Sequence, residues 1–149
     1  MAWTIAGTIS AVATTLGATT GITRTQDYNE IGDTINDADC PLMQVYCNRL
    51  TCDPVTDTAQ STLTADMRQY EIPVMVDIYI GQHNQFAERM EDIFTIMNAV
   101  VNVLEAQTSN SKFGQSHIKS FSYTVERVLL TYNELSYDGM RFTITLRCW

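Results

Sequence analysis

Basic side chains are scarce in this sequence, and no long apolar run is present. Nine Lys and Arg stand against 17 Asp and Glu in 149 residues, so the formal net charge is −8. Affinity for nucleic-acid phosphates depends on Lys and Arg, which argues against a free-standing nucleic-acid binder. No uninterrupted apolar run approaches the roughly 20 residues that span a bilayer. We therefore expect a soluble protein with no membrane partner.

Motifs for cofactors and metals are also missing. The glycines do not form a dinucleotide-binding or phosphate-loop pattern. The cysteines lack the paired spacing of a zinc ribbon or a redox motif, and no histidine lies near the first three of them. They are Cys40, Cys47, Cys52 and Cys148. We expect reduced thiols and no metal or cofactor, with a Cys40–Cys52 disulfide left open as an alternative.

One long amphipathic helix is predicted over residues 86–107, with Asn84 as its N-cap. Apolar side chains recur there at alternating spacings of four and three, which places them on one stripe of a helix. The stripe comprises Phe86, Met90, Ile93, Met97, Val100 and Leu104. Off it lie Phe94, Ile96, Val101 and Val103, so the apolar surface is wider than one sheet face needs. Either another helix or a neighbouring subunit is expected to cover it.

A short first helix is predicted from Ile5, Ile9, Val12 and Leu16, whose spacings are again helical. No basic residue precedes Arg24, and Thr and Gly interrupt the apolar residues. This segment is therefore interpreted as part of the mature protein rather than as a secretory leader.

Four strands are predicted. Residues 72–80 alternate strictly between apolar and other side chains, with a strand start or a sheet edge expected near Pro73. Residues 41–49 form a second strand. Residues 121–132 form a third, whose apolar set shifts by one position, so a β-bulge is expected near Glu126 and Arg127. Asp138-Gly139 is a tight-turn signal, and the last strand follows it.

The two remaining stretches, near residues 26–39 and 50–66, are polar and are predicted as long loops. Loops of this length in a compact domain are usually functional or become ordered on a partner. We therefore predict one α+β domain over residues 1–149. It has an antiparallel or mixed four-stranded sheet packed by one long helix and a short N-terminal helix, in the order α-β-β-α-β-β.

The charge is uneven along the chain. Residues 1–107 hold 14 acidic and 4 basic side chains, whereas residues 108–149 hold 3 acidic and 5 basic ones. This asymmetry could make unlike faces of neighbouring subunits attract, although a solvated acidic surface is the simpler interpretation. For an enzyme, only Asp77, His83 and His117 are candidate groups, and they are isolated in sequence.

The order of elements resembles the tail terminator proteins of long-tailed bacteriophages (lambda tail terminator-like). The segments that carry the resemblance are EIPVMVDIYIG, FAERMEDIFTIMNAVVNVLEAQ, FSYTVERVLLTY and DGMRFTITLRCW. It covers residues 41–149, with the first helix also in the expected place. The Thr-rich first helix and the long second loop depart from the family pattern.

The resemblance implies a structural virion protein, assembled in the host cytoplasm, and not an enzyme. It would form a ring, usually a hexamer, that caps the tail tube and joins it to the head-completion proteins of the neck, with DNA passing through without specific binding. We assign the subunit interface to Ile5, Ile9, Met75, Tyr79, Phe94 and Val101, and the tube or neck contact to Leu50, Thr51, Asp53, Asp57 and Thr62. The alternatives are another neck component, such as a head-completion or stopper protein, and a small ligand-binding or enzymatic α+β domain.

Overall fold

The computed structural model describes residues 3–54, 68–83 and 86–149, apart from the side chains of residues 53, 54, 68 and 86. Its helices are α1 (Ile5–Gly17) and α2 (Phe86–Glu105), and two short 3-10 turns lie at Asp37–Asp39 and Lys112–Gly114. Its strands are β1 (Arg24–Gln26), β2 (Leu42–Cys47), β3 (Thr51–Pro54), β4 (Arg68–Gln82), β5 (Ile118–Tyr132) and β6 (Leu135–Cys148). None of the described helices is long and apolar enough to cross a membrane.

The strands form one mixed sheet in the order β1-β2-β4-β6-β5, and β3 pairs with β4 beyond the end of β2. β1 runs parallel to β2, and the other pairings are antiparallel. β4 and β6 form the centre of the sheet, with partners running from Tyr70 opposite Cys148 to Gln82 opposite Tyr137.

The predicted four-stranded sheet is wrong, because the described residues form six strands and two helices. The additional strands are β1 and β3, which fall in or beside the segments predicted as loops. Both are short and polar, and they exist because their backbones pair with β2 and β4. Hydrophobic periodicity cannot detect a strand of three or four polar residues. The rest of the second predicted loop, residues 55–67, lies outside the described residues.

The main core lies between one face of the sheet and the two helices. α1 contributes Ile9, Val12 and Leu16, which confirms the first helix. Its N-cap Thr4 accepts a hydrogen bond from the Gly7 amide at 3.0 Å. From α2, the fully or nearly fully buried side chains are Ile93, Ile96, Val100 and Leu104. Burying each such side chain contributes about 1.5–3 kcal/mol, an upper bound because unfolded chains already bury some surface.

The opposite face of the sheet, called here the outer face, carries a second apolar cluster. Leu42, Tyr79, Leu130 and Tyr137 are buried there, and Ile35 and Cys40 of the preceding loop, with Val128 and Tyr132, pack against them. This second cluster explains the shift of apolar residues along β5. In the first part of β5 the apolar side chains point to the main core. In its last part they occupy the alternate positions and point to the outer face.

A bulge at Glu126 and Arg127 was therefore a wrong prediction. Glu126 pairs with Arg141 and Arg127 with Met140 in an unbroken register. The irregularities lie instead between Ile118 and Ser120 of β5 and between Tyr79 and Gly81 of β4.

The predicted turn at Asp138-Gly139 is also wrong, because both residues lie within β6. The β5–β6 hairpin turns at Asn133 and Glu134, which have φ of 49° and 68° between the paired residues Tyr132 and Leu135. Two positive φ values in a two-residue connection are typical of the turn that matches strand twist.

Pro73 lies inside β4 rather than at its start. On one side of β4, the pairing with β2 ends at Val74 and the pairing with β3 begins at Glu71. Pro73 lies in the gap between these two pairings. On the other side it is opposite Thr145 of β6. A residue without an N–H is tolerated at this position because the ladder is already interrupted there.

Candidate interaction surfaces

α2 has a second apolar stripe beside its buried one. Phe94 is 53% exposed, while Met90, Met97 and Val101 are half-buried against the edge of the main core. These four positions follow helical spacing, and Glu105 continues the same line one turn later. The Glu105 carboxylate accepts a hydrogen bond from the Tyr123 hydroxyl of β5 at 2.5 Å. The stripe therefore faces β5.

β5 supplies the other wall of this surface, which we call the α2–β5 groove. Phe121, Tyr123 and Val125 are half-buried on the helix side of the sheet. Leu129 has the same parity and is 52% exposed. The buried Phe113 packs against Phe121 near the start of β5, with ring centroids 5.2 Å apart. α1 lies over β1 and β2 and α2 over β4 and β6, so β5 lies at the margin of the helical layer, which contacts it at Tyr123.

The backbone of β5 is a long sheet edge. Among the described strands it pairs with β6 alone, over 15 residues that contain neither Pro nor Gly. Natural proteins usually shorten, bend or cover such an edge, because its free N–H and C=O groups recruit other strands. This edge and the α2–β5 groove lie side by side.

The outer face holds an ionic network centred on Asp77, whose side chain is buried. Arg141 Nε donates to one carboxylate oxygen at 2.7 Å, and its terminal nitrogen and the Tyr46 hydroxyl donate to the other at 3.2 Å and 2.7 Å. Burial and the bond to Asp77 raise the pKa of Tyr46 to about 12. The bond to Asp77 raises the pKa of Arg141. These contacts hold β2, β4 and β6 together.

The network forms the floor of an open concavity of about 560 Å³. Tyr79, Leu130 and Tyr132 line it together with Asp77 and Arg141. Burial raises the pKa of the Tyr79 hydroxyl, with a smaller contribution from the charge of Asp77. Asp77 is committed to Arg141 and Tyr46, which leaves it poorly placed to act as a general base.

His83 lies at the end of β4, where its Nδ1 is 2.8 Å from a carboxylate oxygen of the fully buried Asp138. The other carboxylate oxygen has no hydrogen-bond partner within the described chain. A concavity of about 540 Å³ is lined by His83, Cys40 and Arg89. Burial and the charge of Asp37 raise the pKa of the Cys40 thiol, which disfavours a reactive thiolate.

His117 lies at the start of β5 and connects that strand to α1. Its Nε2 is 2.8 Å from the Thr8 hydroxyl, and its ring stacks on Trp3 with centroids 4.5 Å apart. Burial lowers the pKa of His117, with a smaller contribution from Lys119. The neutral imidazole is the form that this environment favours.

The three polar residues considered for catalysis therefore occupy three separate places: Asp77 on the outer face, His83 at one end of the sheet, and His117 under α1 at the other. Each has its own structural partners. Among residues 3–54, 68–83 and 86–149, no three His, Cys, Asp or Glu side chains are grouped in a way that could hold a metal ion.

The residues predicted for a subunit interface are divided by the structure. Ile9 is buried in the main core and Tyr79 in the outer-face cluster, while Ile5 packs at the edge of the main core. Met75 is half-buried on the outer face, where the Thr143 hydroxyl lies 3.8 Å from its sulfur. Phe94 and Val101 lie in the α2–β5 groove.

Of the residues predicted to contact a tube or neck protein, Leu50 and Thr51 are exposed, and Thr51 begins β3. Asp53 belongs to β3, and its side chain is not described. Asp57 and Thr62 lie outside the described residues.

Sequence reasoning missed the contribution of β5 to the groove. The signal was present in two places: the change of apolar parity along β5, and the apolar residues of α2 outside its buried stripe. The two sets of residues become neighbours only because the fold places α2 beside β5. No protein-family model matches this chain, and no curated protein matches it in sequence.

Proposed function

We propose that this chain is a structural subunit of a long-tailed phage particle, a tail terminator that forms a ring. The ring, with six subunits in the family it resembles, caps the tail tube and joins it to the head-completion proteins of the neck. The protein has two short strands, β1 and β3, beyond the elements on which the resemblance rests. The long strand, the long helix and the closing hairpin continue to support it.

The observation that carries the proposal is the α2–β5 groove beside the β5 edge, which no described strand pairs. Phe94 and Leu129 are both about half exposed, at 53% and 52%. Exposed apolar surface that adjoins an open sheet edge is typical of a protein-binding surface. A subunit of a permanent assembly has such a surface because its neighbour covers it.

Two further features support a structural role over an enzymatic one. Asp77, His83 and His117 are separated in space and are engaged with Arg141, Asp138 and Thr8. The net charge of −8 suits the wall of a DNA passage, since such a wall should not retain phosphate groups.

Electron microscopy of the purified protein with polymerising tail-tube protein tests the proposal. We expect rings that bind one end of each tube and stop its elongation, whereas tube protein alone should continue to grow. Analytical ultracentrifugation at micromolar concentration should show the same ring without the tube.

Rings that bind a head-completion protein but never a tube end would favour another neck component. A monomer that binds a small polar ligand in the outer-face concavity, with affinity lost in Tyr132→Ala, would favour the ligand-binding alternative. Either result would replace the terminator assignment.

A further inference from the structure

The outer-face concavity of about 560 Å³ is built by the register of the sheet. Asp77 of β4 pairs with Arg141 of β6 on one side and with Gln44 of β2 on the other. These three side chains line the concavity from neighbouring strands. Tyrosine and aliphatic side chains surround them, among them Tyr46, Tyr79, Tyr132, Val128 and Leu130.

Tyr79 is the first indication of a binding site in this concavity. It is only 4% exposed and belongs to the lining, yet its hydroxyl has no hydrogen-bond partner among the described residues. Edge contacts to Tyr132 and Tyr137 hold its ring, with centroids 5.9 Å and 5.6 Å apart. Buried hydroxyls usually have a partner, because leaving one without a hydrogen bond costs free energy. The Tyr79 hydroxyl is therefore available to a group that enters the concavity.

Two further lining side chains have unused hydrogen-bonding groups. Gln44 is 3% exposed, and within the described chain its side chain makes one hydrogen bond, from Nε2 to Gln26 at 3.0 Å. Its amide oxygen is left as an acceptor. Arg141 donates to Asp77 from Nε and one terminal nitrogen, so its other terminal nitrogen is left as a donor. The concavity thus offers a donor, an acceptor and a hydroxyl that can act as either.

Charge limits the kind of ligand that fits. Asp77 and Arg141 are the charged side chains among the described lining residues, and they are paired with each other. Glu126, the register partner of Arg141 in β5, is exposed. The loop that contributes Ile31 to the lining is acidic, with five carboxylates and no basic residue in positions 27–39. These carboxylates disfavour an anion and Arg141 disfavours a cation, so an uncharged ligand fits best.

We propose that the outer-face concavity binds a neutral saccharide. Each sugar hydroxyl can both donate and accept a hydrogen bond, which matches the mixed groups of Arg141, Gln44 and Tyr79. The apolar C–H face of a sugar ring can pack on the aromatic ring of Tyr132. The volume of the concavity lies in the usual range for small-ligand sites. The inference does not rest on the proposed ring, because these residues belong to one copy of the chain.

Saturation-transfer NMR with methyl glucoside, methyl galactoside and N-acetylglucosamine tests the site, since it detects weak binding to a monomer or an assembly alike. At least one of these sugars should bind, with a dissociation constant of about 1 mM by titration calorimetry. Glucuronate, which adds a negative charge to the same ring, should bind more weakly than methyl glucoside. Tighter binding of glucuronate would overturn the assignment of a neutral ligand.

Tyr79→Phe is the most direct variant. It removes a hydroxyl that no described residue uses, so the thermal midpoint should not fall, while the affinity for the best-binding sugar should fall about fivefold. Tyr132→Ala removes the packing surface and should abolish measurable binding. Tyr123→Phe is the matched control. It removes a hydroxyl on the opposite face of the sheet, where Tyr123 donates to Glu105, and it should bind as the unmodified protein does.

The outcomes are separate from those that test the terminator proposal. Absence of binding by every neutral sugar, or equal affinity of Tyr79→Phe and unmodified protein, would overturn the saccharide site whatever assembly the protein forms. A ring that caps tubes and binds a sugar would retain both proposals. A monomer that binds a sugar and never caps a tube would retain the site and support the ligand-binding alternative.

Discussion

At the scale of single residues, Asp77 shows how a polar position on a sheet becomes structural. Its side chain is only 4% exposed, although it is acidic and lies beside the apolar cluster of the outer face. A buried carboxylate remains stable there only because Arg141 and Tyr46 satisfy both oxygens. Alternation along β4 places Asp77 on the outer face, but only the pairing of β2, β4 and β6 brings its partners to it.

Arg141→Leu should therefore destabilise the protein by roughly 3 kcal/mol, because it leaves Asp77 buried without its countercharge. Tyr46→Phe should cost only about 1 kcal/mol, the usual contribution of one hydrogen bond. Urea unfolding measures both. The double variant Asp77→Leu/Arg141→Leu is the control, and it should be more stable than Arg141→Leu alone. If the double variant were as unstable as Arg141→Leu, the loss of stability would come from packing rather than from the unpaired charge of Asp77.

His117 should make stability depend on pH. Its pKa is lowered in the folded protein, so the unfolded chain binds a proton more readily. The stability it contributes is complete above its unfolded pKa of about 6.5 and is lost as the pH falls through the lower folded value. Between about pH 8 and pH 5, unmodified protein should lose more stability than His117→Gln. Urea unfolding of both proteins at each pH measures the loss of unfolding free energy. Equal losses in the two proteins would contradict this expectation.

At the scale of elements, β5 and β6 show why a strong local signal can mislead. Asp138-Gly139 has the composition of a tight turn, but the hairpin turns at Asn133 and Glu134. Gly139 is needed for another reason. A Cβ at this position would collide with the carbonyl oxygen of Ile78, beside the irregularity in β4. Glycine here permits a close approach of two backbones rather than a change of direction.

Gly139→Ala should accordingly cost about 2–4 kcal/mol, because the neighbour that must move is backbone rather than a flexible side chain. Gly32→Ala is the control. Its Cβ would meet nothing nearer than the Thr34 carbonyl oxygen at 3.8 Å, so its effect should stay within about 0.5 kcal/mol. Thermal or urea unfolding compares the two variants. Similar midpoints would show that β4 moves aside more easily than the packing suggests.

At the scale of the whole molecule, the two layers do not have the same width. The six described strands are covered on one face by two helices, and β5 lies at the margin of that helical layer. A helical layer narrower than the sheet suits a subunit whose neighbours complete it.

The sequence by itself determined α1, α2, the strands β2 and β4, and the part of β6 that follows Gly139. In each of these elements a buried face repeats with the period of a helix or a strand over several residues, so local pattern is sufficient. It also placed a third long strand at β5, because apolar side chains alternate along it despite the shift in parity.

Only the tertiary structure decided the rest. β1 and β3 are stabilised by pairing with strands whose partner residues lie 14 to 20 positions further along the chain, and no hydrophobic periodicity records such contacts. The one-residue shift of the apolar positions along β5 predicted a bulge. The outer-face cluster explains the shift instead, because both faces of the strand contact apolar residues. The α2–β5 groove likewise depends on distant segments, since its two walls become neighbours only when the sheet pairs and α2 packs across it.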